Sequence, residues 1–233
     1  MRLGAILVKG LATAIMLLSM NVLAKTEYEY LQNLNLKVEA INSNARLENL
    51  TLKTALTDHG TIYFDAEKGV FFTKVQPLVL NNGQWDMADK LFFKQFIEQI
   101  PDQIEVKSPN EKLVVYMFTD VSCGWCQKVH ENMQSYTDAG ITLKLMYFPR
   151  GGLDSQAARQ MSTISRSQTP FQELQRAFSG GYMPETELSE VVKRHYQSAI
   201  GLGVGGTPMF FVNGYPFEGY LTPEQMLQRF LVN

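Results

Sequence analysis

Apolar and polar positions follow three different rhythms along the chain. Between residues 25 and 85, after a short amphipathic start (Tyr28, Leu31, Leu34), brief runs rich in β-branched and aromatic residues span Leu52–Thr57, Thr61–Phe64, Val70–Val75 and Leu78–Leu80. Turn signals separate them at Asp58-His59-Gly60, Glu67-Lys68-Gly69 and Asn81-Asn82-Gly83. This pattern predicts a meander of antiparallel hairpins. So few strands make a thin core, and such a unit tends to be completed by another surface, so a self-paired dimer is plausible on size alone. From Asp86 to Ile100 the apolar positions Met87, Leu91, Phe92, Phe93, Phe96, Ile97 and Ile100 take a helical period, with Asp86 able to cap the start and Pro101 closing the end. Periodicity alone leaves two readings of that helix open: a linker, or a core helix of the unit that follows.

Beyond residue 106 the rhythm changes again. Leu113–Phe118 is uninterrupted apolar sequence, the mark of a strand covered on both faces. It runs through Thr119-Asp120-Val121-Ser122 into Cys123-Gly124-Trp125-Cys126 and a helical stretch to about Ala139. Gly140 then ends the helix before a second strand, Ile141–Phe148. A β-α-β unit of this kind implies a parallel pair joined by a right-handed crossover. Residues 154–203 are largely helical, interrupted at Pro170, Gly180-Gly181 and Pro184. Pro208–Val212, a turn at Asn213-Gly214, Phe217–Tyr220 and a helix opened by Thr222-Pro223 complete the chain. The expected organisation is a leader over 1–24, a small antiparallel β unit over 25–85, a linker helix over 86–105, and a mixed α/β unit with a helical insertion over 106–233.

Composition narrows the function. With 45% hydrophobic and 19% charged residues among 233, the chain is core-forming, and a net charge of −2 gives no electrostatic case for nucleic acid. The start is a separate object. Arg2 and Lys9 precede 15 uncharged residues ending Val22-Leu23-Ala24, which fits a secretory leader cleaved after Ala24. A retained membrane anchor is the alternative, but the run falls short of the roughly 18 to 20 residues that span a bilayer. Export would place the mature protein where disulfides form and persist.

The chemistry concentrates at Cys123 and Cys126, the only two cysteines. A Cys-x-x-Cys where a strand turns into a helix of a β-α-β unit is a thioredoxin-like redox signature. Unpaired amides and the helix dipole favour a thiolate at Cys123, and the two-residue spacing (Gly124, Trp125) lets Cys126 resolve a mixed disulfide from within. Cys123 is expected to be exposed and Cys126 more buried. Three blander readings compete. A structural disulfide closing so short a loop would add little stability. A zinc half-site with His130, His59 or His195 lacks a second ligand pair, and idle thiols do not suit an oxidising compartment. Gly205-Gly206-Thr207-Pro208 is the second motif. In thioredoxin-like folds, which the cysteine signature resembles, a proline at this place is cis, faces the cysteines and leaves nearby backbone free to pair with an extended substrate; taken in isolation the motif reads as a Gly-Pro loop that merely turns the chain. Trp125 reads as exposed, and His130, about one turn past Cys126, as a solvated helix residue.

These motifs give the chain a family resemblance. Phe118-Thr119-Asp120 before Cys-Gly-Trp-Cys, the segment Phe148-Pro149-Arg150-Gly151-Gly152-Leu153-Asp154-Ser155, Gly205-Gly206-Thr207-Pro208, Leu56 to Tyr63, and Met87 to Leu91 together resemble the periplasmic disulfide isomerases of the DsbC/DsbG family, nearer to DsbC. The resemblance implies homodimers joined through their N-terminal units, with thioredoxin-like domains flanking an apolar cleft that receives misfolded secreted proteins. It also implies attack by Cys123, release by Cys126, substrate contact by Thr207 before cis-Pro208, and no cofactor or metal beyond the cysteine pair, which a DsbD-like membrane reductase keeps reduced. Two alternatives stay open within it: DsbG-like reduction of sulfenylated single cysteines, and a holdase chaperone using the cleft. Three departures stand out. Gly-Trp replaces the family's usual Gly-Tyr, the helical insert around Ser165 to Gly181 lacks DsbC's second cysteine pair, and Met117 stands where thioredoxin has a buried acid.

Overall fold

A computed structural model of the chain describes residues 29, 31–32, 36–47, 50–73, 75–81 and 84–231. The expected leader and the Asn82-Gly83 turn lie outside them. Four strands, β1 (Val38–Leu47), β2 (Leu50–Thr57), β3 (Gly60–Asp65) and β4 (Val70–Thr73), form one antiparallel meander in sequence order. Its own core is thin, built on Leu31, Ala55, Ile62 and Phe64. The long strand β1 was not among the expected strands, because its Asn and Arg residues hide any apolar alternation. β5 (Leu78–Asn81) and β6 (Gln84–Met87) pair as a separate two-stranded ribbon.

Helix α1 (Lys90–Glu98) begins later than expected. Asp86 lies in β6, and Asp89 occupies the N-cap without a side-chain cap bond. The buried face of α1, Phe93 and Ile97, packs in one cluster with Phe118, Met146, Phe148 and Phe211. β7 (Ile104–Val106) then joins the large sheet, antiparallel to β9 (Ile141–Tyr147). The expected boundaries at 85/86 and 105/106 therefore both run through strands.

The large sheet has the order β11-β10-β8-β9-β7. β8 (Leu113–Thr119) and β9 (Ile141–Tyr147) are parallel, as the β-α-β pattern requires, while β10 (Met209–Val212) and β11 (Tyr215–Glu218) add an antiparallel hairpin beside β8. The apolar run of β8 feeds two cores by strict alternation: Val115 and Met117 point into one cluster, Tyr116 and Phe118 into the other. In the second, Phe118 meets Phe148 and Phe211 edge-on at centroid distances of 6.5 and 6.1 Å. The hairpin turn uses Asn213 (φ 52°) and Gly214 (φ 86°). A Cβ at Gly214 would fall 1.8 Å from the Lys90 carbonyl oxygen, so only glycine lets the hairpin close onto α1.

The helix after the cysteines is broken in two, α2 (Gly124–Glu131) and α3 (Met133–Asp138), rather than continuous to Ala139. Asn132 leaves helical geometry at the break and its side-chain amide donates to the Lys128 carbonyl (2.8 Å), a local bond that competes with the helix ladder. The insertion consists of α4 (Gln156–Ser165) and α5 (Pro170–Phe178), followed by α6 (Glu190–Gly201). α7 (Pro223–Leu231) closes the chain. The end of α6 rests on the N-terminal meander: the Thr61 hydroxyl donates to the Gly201 carbonyl (2.8 Å), and Leu56 shares a cluster with Ala199 and Leu202. Among the described residues no helix is long and apolar enough to cross a membrane.

Candidate active site

The turn between β8 and α2 carries the two cysteines. Cys123 is the N-cap of α2, with extended backbone (φ −98°, ψ 115°), and its sulfur accepts the Cys126 amide at 3.4 Å. A sulfur in this position meets the unpaired amides and positive end of the helix. On its other side lies the Thr207 carbonyl, 3.2 Å away, and the Thr207–Pro208 peptide is cis. The two motifs, 84 residues apart in sequence, therefore meet at one sulfur.

Both cysteines are unpaired thiols. Contrary to the expected exposure, Cys123 is only 3% exposed, and Cys126 is fully enclosed. The reason is the cap itself: serving the helix amide turns the Cys123 sulfur inward against the Thr207 loop instead of outward into solvent. The two thiols nonetheless differ sharply in acidity. Hydrogen bonding from the Cys126 thiol and the Cys126 amide, with the nearby Arg150 charge, outweighs burial and lowers Cys123 to about 5. Cys126 moves strongly upward, chiefly because burial penalises its charged form and because it donates to Cys123. Trp125 between them is 58% exposed, and Gly124 has open space where a side chain would begin.

Two residues that sequence reasoning gave no role frame this turn. Asp120, fully buried at the end of β8, accepts from the Ser122 amide and hydroxyl (both 2.8 Å), the Arg150 amide (2.9 Å) and the Arg150 Nε (3.1 Å). Arg150 also donates to the Ser122 carbonyl at 3.2 Å. The pair fastens the cysteine turn to the loop after β9, which is what the Phe-Thr-Asp and Phe-Pro-Arg segments do in space. Both segments carry the family resemblance in sequence; the contact between them needed the fold. Met117 is buried in the core below.

His130 is not solvated as expected. It is 2% exposed, stacked on Phe178 at 4.2 Å with Nε2 3.2 Å from the Thr119 hydroxyl, and burial lowers its pKa to about 3. The insertion covers this face of α2, which the helical spacing alone did not reveal. Among the described residues no group of three or more His, Cys, Asp or Glu side chains gathers as a metal site would require.

An acidic sulfur beside a weakly acidic one suits thiol–disulfide exchange, a chemistry that needs one ready thiolate and one thiol held in reserve. Comparison with known proteins agrees. A family model for the thioredoxin-like domain matches residues 100–231. The thiol:disulfide interchange protein DsbC of Haemophilus influenzae is 35% identical over 76% of this chain and 78% of its own length. The DsbC proteins of Pasteurella multocida and Salmonella typhimurium are 30% and 32% identical, covering 76% and 75% of this chain and 78% and 74% of theirs. The chain belongs to the DsbC family of thiol:disulfide interchange proteins and is a thiol–disulfide oxidoreductase.

Proposed function

We propose that the protein is a disulfide isomerase and reductase of the bacterial periplasm, exported by a leader over residues 1–24. The Cys123 thiolate attacks one sulfur of a wrong disulfide in a secreted client. The client's other sulfur leaves as a thiolate and takes a proton, and a mixed disulfide remains. A second client thiol can then displace Cys123, which leaves the client rearranged and the enzyme unchanged. Alternatively Cys126 loses its proton and attacks, which reduces the client and leaves a Cys123–Cys126 disulfide. That disulfide needs two electrons from a membrane reductase of the DsbD type to restart the cycle.

The opposite acidities of the two sulfurs carry this reading. A low-pKa attacking thiol is ionised at neutral pH and is also a good leaving group. A resolving thiol that holds its proton is slow, and slowness gives client thiols time to rearrange. Thr207 and cis-Pro208 offer backbone beside the sulfur for an extended client segment. The exposed apolar side chains Phe71, Val75, Leu78, Leu80 and Trp85, all in the N-terminal unit, fit a surface covered by a second copy of the chain. The deciding test is refolding of a scrambled multi-disulfide protein. Cys123→Ser abolishes it and Cys126→Ser accumulates mixed disulfides; a Cys123→Ser protein that still unscrambles the substrate refutes the mechanism.

A further inference from the structure

Beside the cysteines stands a small aromatic and cationic shelf. Trp125 and Tyr220 lie with ring centroids 6.0 Å apart and planes tilted by 30°. Lys128, one turn along α2 from Gly124, places its ammonium over both rings, 5.2 Å from the Trp125 centroid and 4.9 Å from that of Tyr220. The shelf is fastened to the substrate-facing loop. The Gly219 amide donates to the Pro208 carbonyl at 3.0 Å, and the Leu221 carbonyl accepts from the Tyr136 hydroxyl, so Tyr220 is pinned from both sides.

The charges around the sulfur are uneven. Arg150, whose charge acts on the sulfur, is paired with the buried Asp120. Lys128 is exposed, and no salt bridge to it occurs among the described residues. The ammonium rests on ring faces rather than on a carboxylate.

The geometry points to a charge-selective subsite: the shelf of Trp125, Lys128 and Tyr220 receives an acidic side chain of the client next to the attacked half-cystine. A client joined to Cys123 and running along the Thr207–Pro208 loop would have the shelf at its side, since Trp125 lies between the cysteines and Tyr220 follows the Gly219 amide bonded to Pro208. Lys128 supplies the counter-charge there, and the two rings supply an apolar floor for the side chain's methylenes. The inference rests on Cys123 being the attacking sulfur, and it adds which clients that sulfur meets fastest.

The test uses three disulfide-bonded peptides identical except for Glu, Gln or Lys beside the half-cystine, reduced by the full-length protein under single turnover at low salt. The Glu peptide reacts about three- to tenfold faster than the Lys peptide, the size expected for one charge pair near a protein surface, and the ratio shrinks as salt rises. Lys128→Gln collapses the Glu-to-Lys ratio toward one, and Lys128→Glu inverts it. Equal rates for the three peptides, or a ratio unchanged in Lys128→Gln, overturn the subsite. Turnover that persists in Cys123→Ser instead overturns the underlying mechanism, so the two failures are told apart.

Discussion

At Cys123 two opposing effects meet, and their balance sets the chemistry. Burial alone would keep the thiol protonated. The Cys126 thiol and amide as donors, with the nearby Arg150 charge, outweigh it and bring the pKa to about 5. The sulfur that supplies the first of these donors loses its own acidity in the process. The Asp120–Arg150 pair acts at one remove, by holding the turn and by placing a positive charge near the sulfur. Arg150→Met leaves the buried Asp120 carboxylate with fewer donors and a net negative field. It should raise the Cys123 pKa, slow attack on a disulfide at pH 6, and lower stability by about 2 kcal/mol. Arg150→Lys, which restores the charge but not the forked contacts, should recover most of the pKa and less of the stability. A titration curve identical to wild type in Arg150→Met would remove Arg150 from this account.

At the scale of elements, the tight fit is between α1 and the β10–β11 hairpin. Gly214→Ala must move either the hairpin or the Lys90 carbonyl, and it adds a positive-φ penalty. Chemical denaturation should show a loss of more than about 2 kcal/mol, whereas the same change at Gly69, which has open space around it, costs less despite its positive φ. Much of this architecture was legible in the chain. The apolar runs of β8 and β9 announced a doubly covered parallel pair, and the spacing of the two cysteines drew attention to the turn between β8 and α2. What periodicity could not convey was which surface covers each helix. Phe93 and Ile97 have the same spacing whether α1 is a free linker or, as found, part of the core beneath Phe118. His130 likewise has the same place on α2 whether it faces solvent or Phe178. Cys123 was misjudged for a related reason: a cap residue's backbone position is visible in sequence, but the direction of its sulfur depends on Thr207, far along the chain.

Over the whole molecule, two buried histidines link stability to pH. His195 accepts the Tyr147 amide at Nδ1 (3.2 Å) and donates from Nε2 to the Pro101 carbonyl (2.8 Å), so the fold holds its neutral form, and burial lowers its pKa. The His130 pKa is lowered to about 3. Both values lie below that of the unfolded chain, about 6.5. The unfolded state therefore binds more protons as pH falls, and stability is full above about 6.5 and declines below it, by up to about 1.4 kcal/mol per pH unit for each histidine. Urea midpoints between pH 7.5 and 4.5 should show this decline, and His195→Gln should flatten part of it while lowering the plateau. Assembly is measured at the same scale: sedimentation should find a dimer that Trp85→Glu together with Leu80→Glu weakens, and a monomer at all concentrations would contradict the surface assigned to a second copy. The account as a whole turns on the charge of one sulfur, which thiolate absorbance near 240 nm reads directly in the reduced protein. Titrated with pH, the wild-type protein should gain one thiolate with a midpoint near 5, a step that Cys123→Ser removes and Cys126→Ala, which deletes the donor, shifts upward. A single step near 9, or a step near 5 that survives Cys123→Ser, would contradict it.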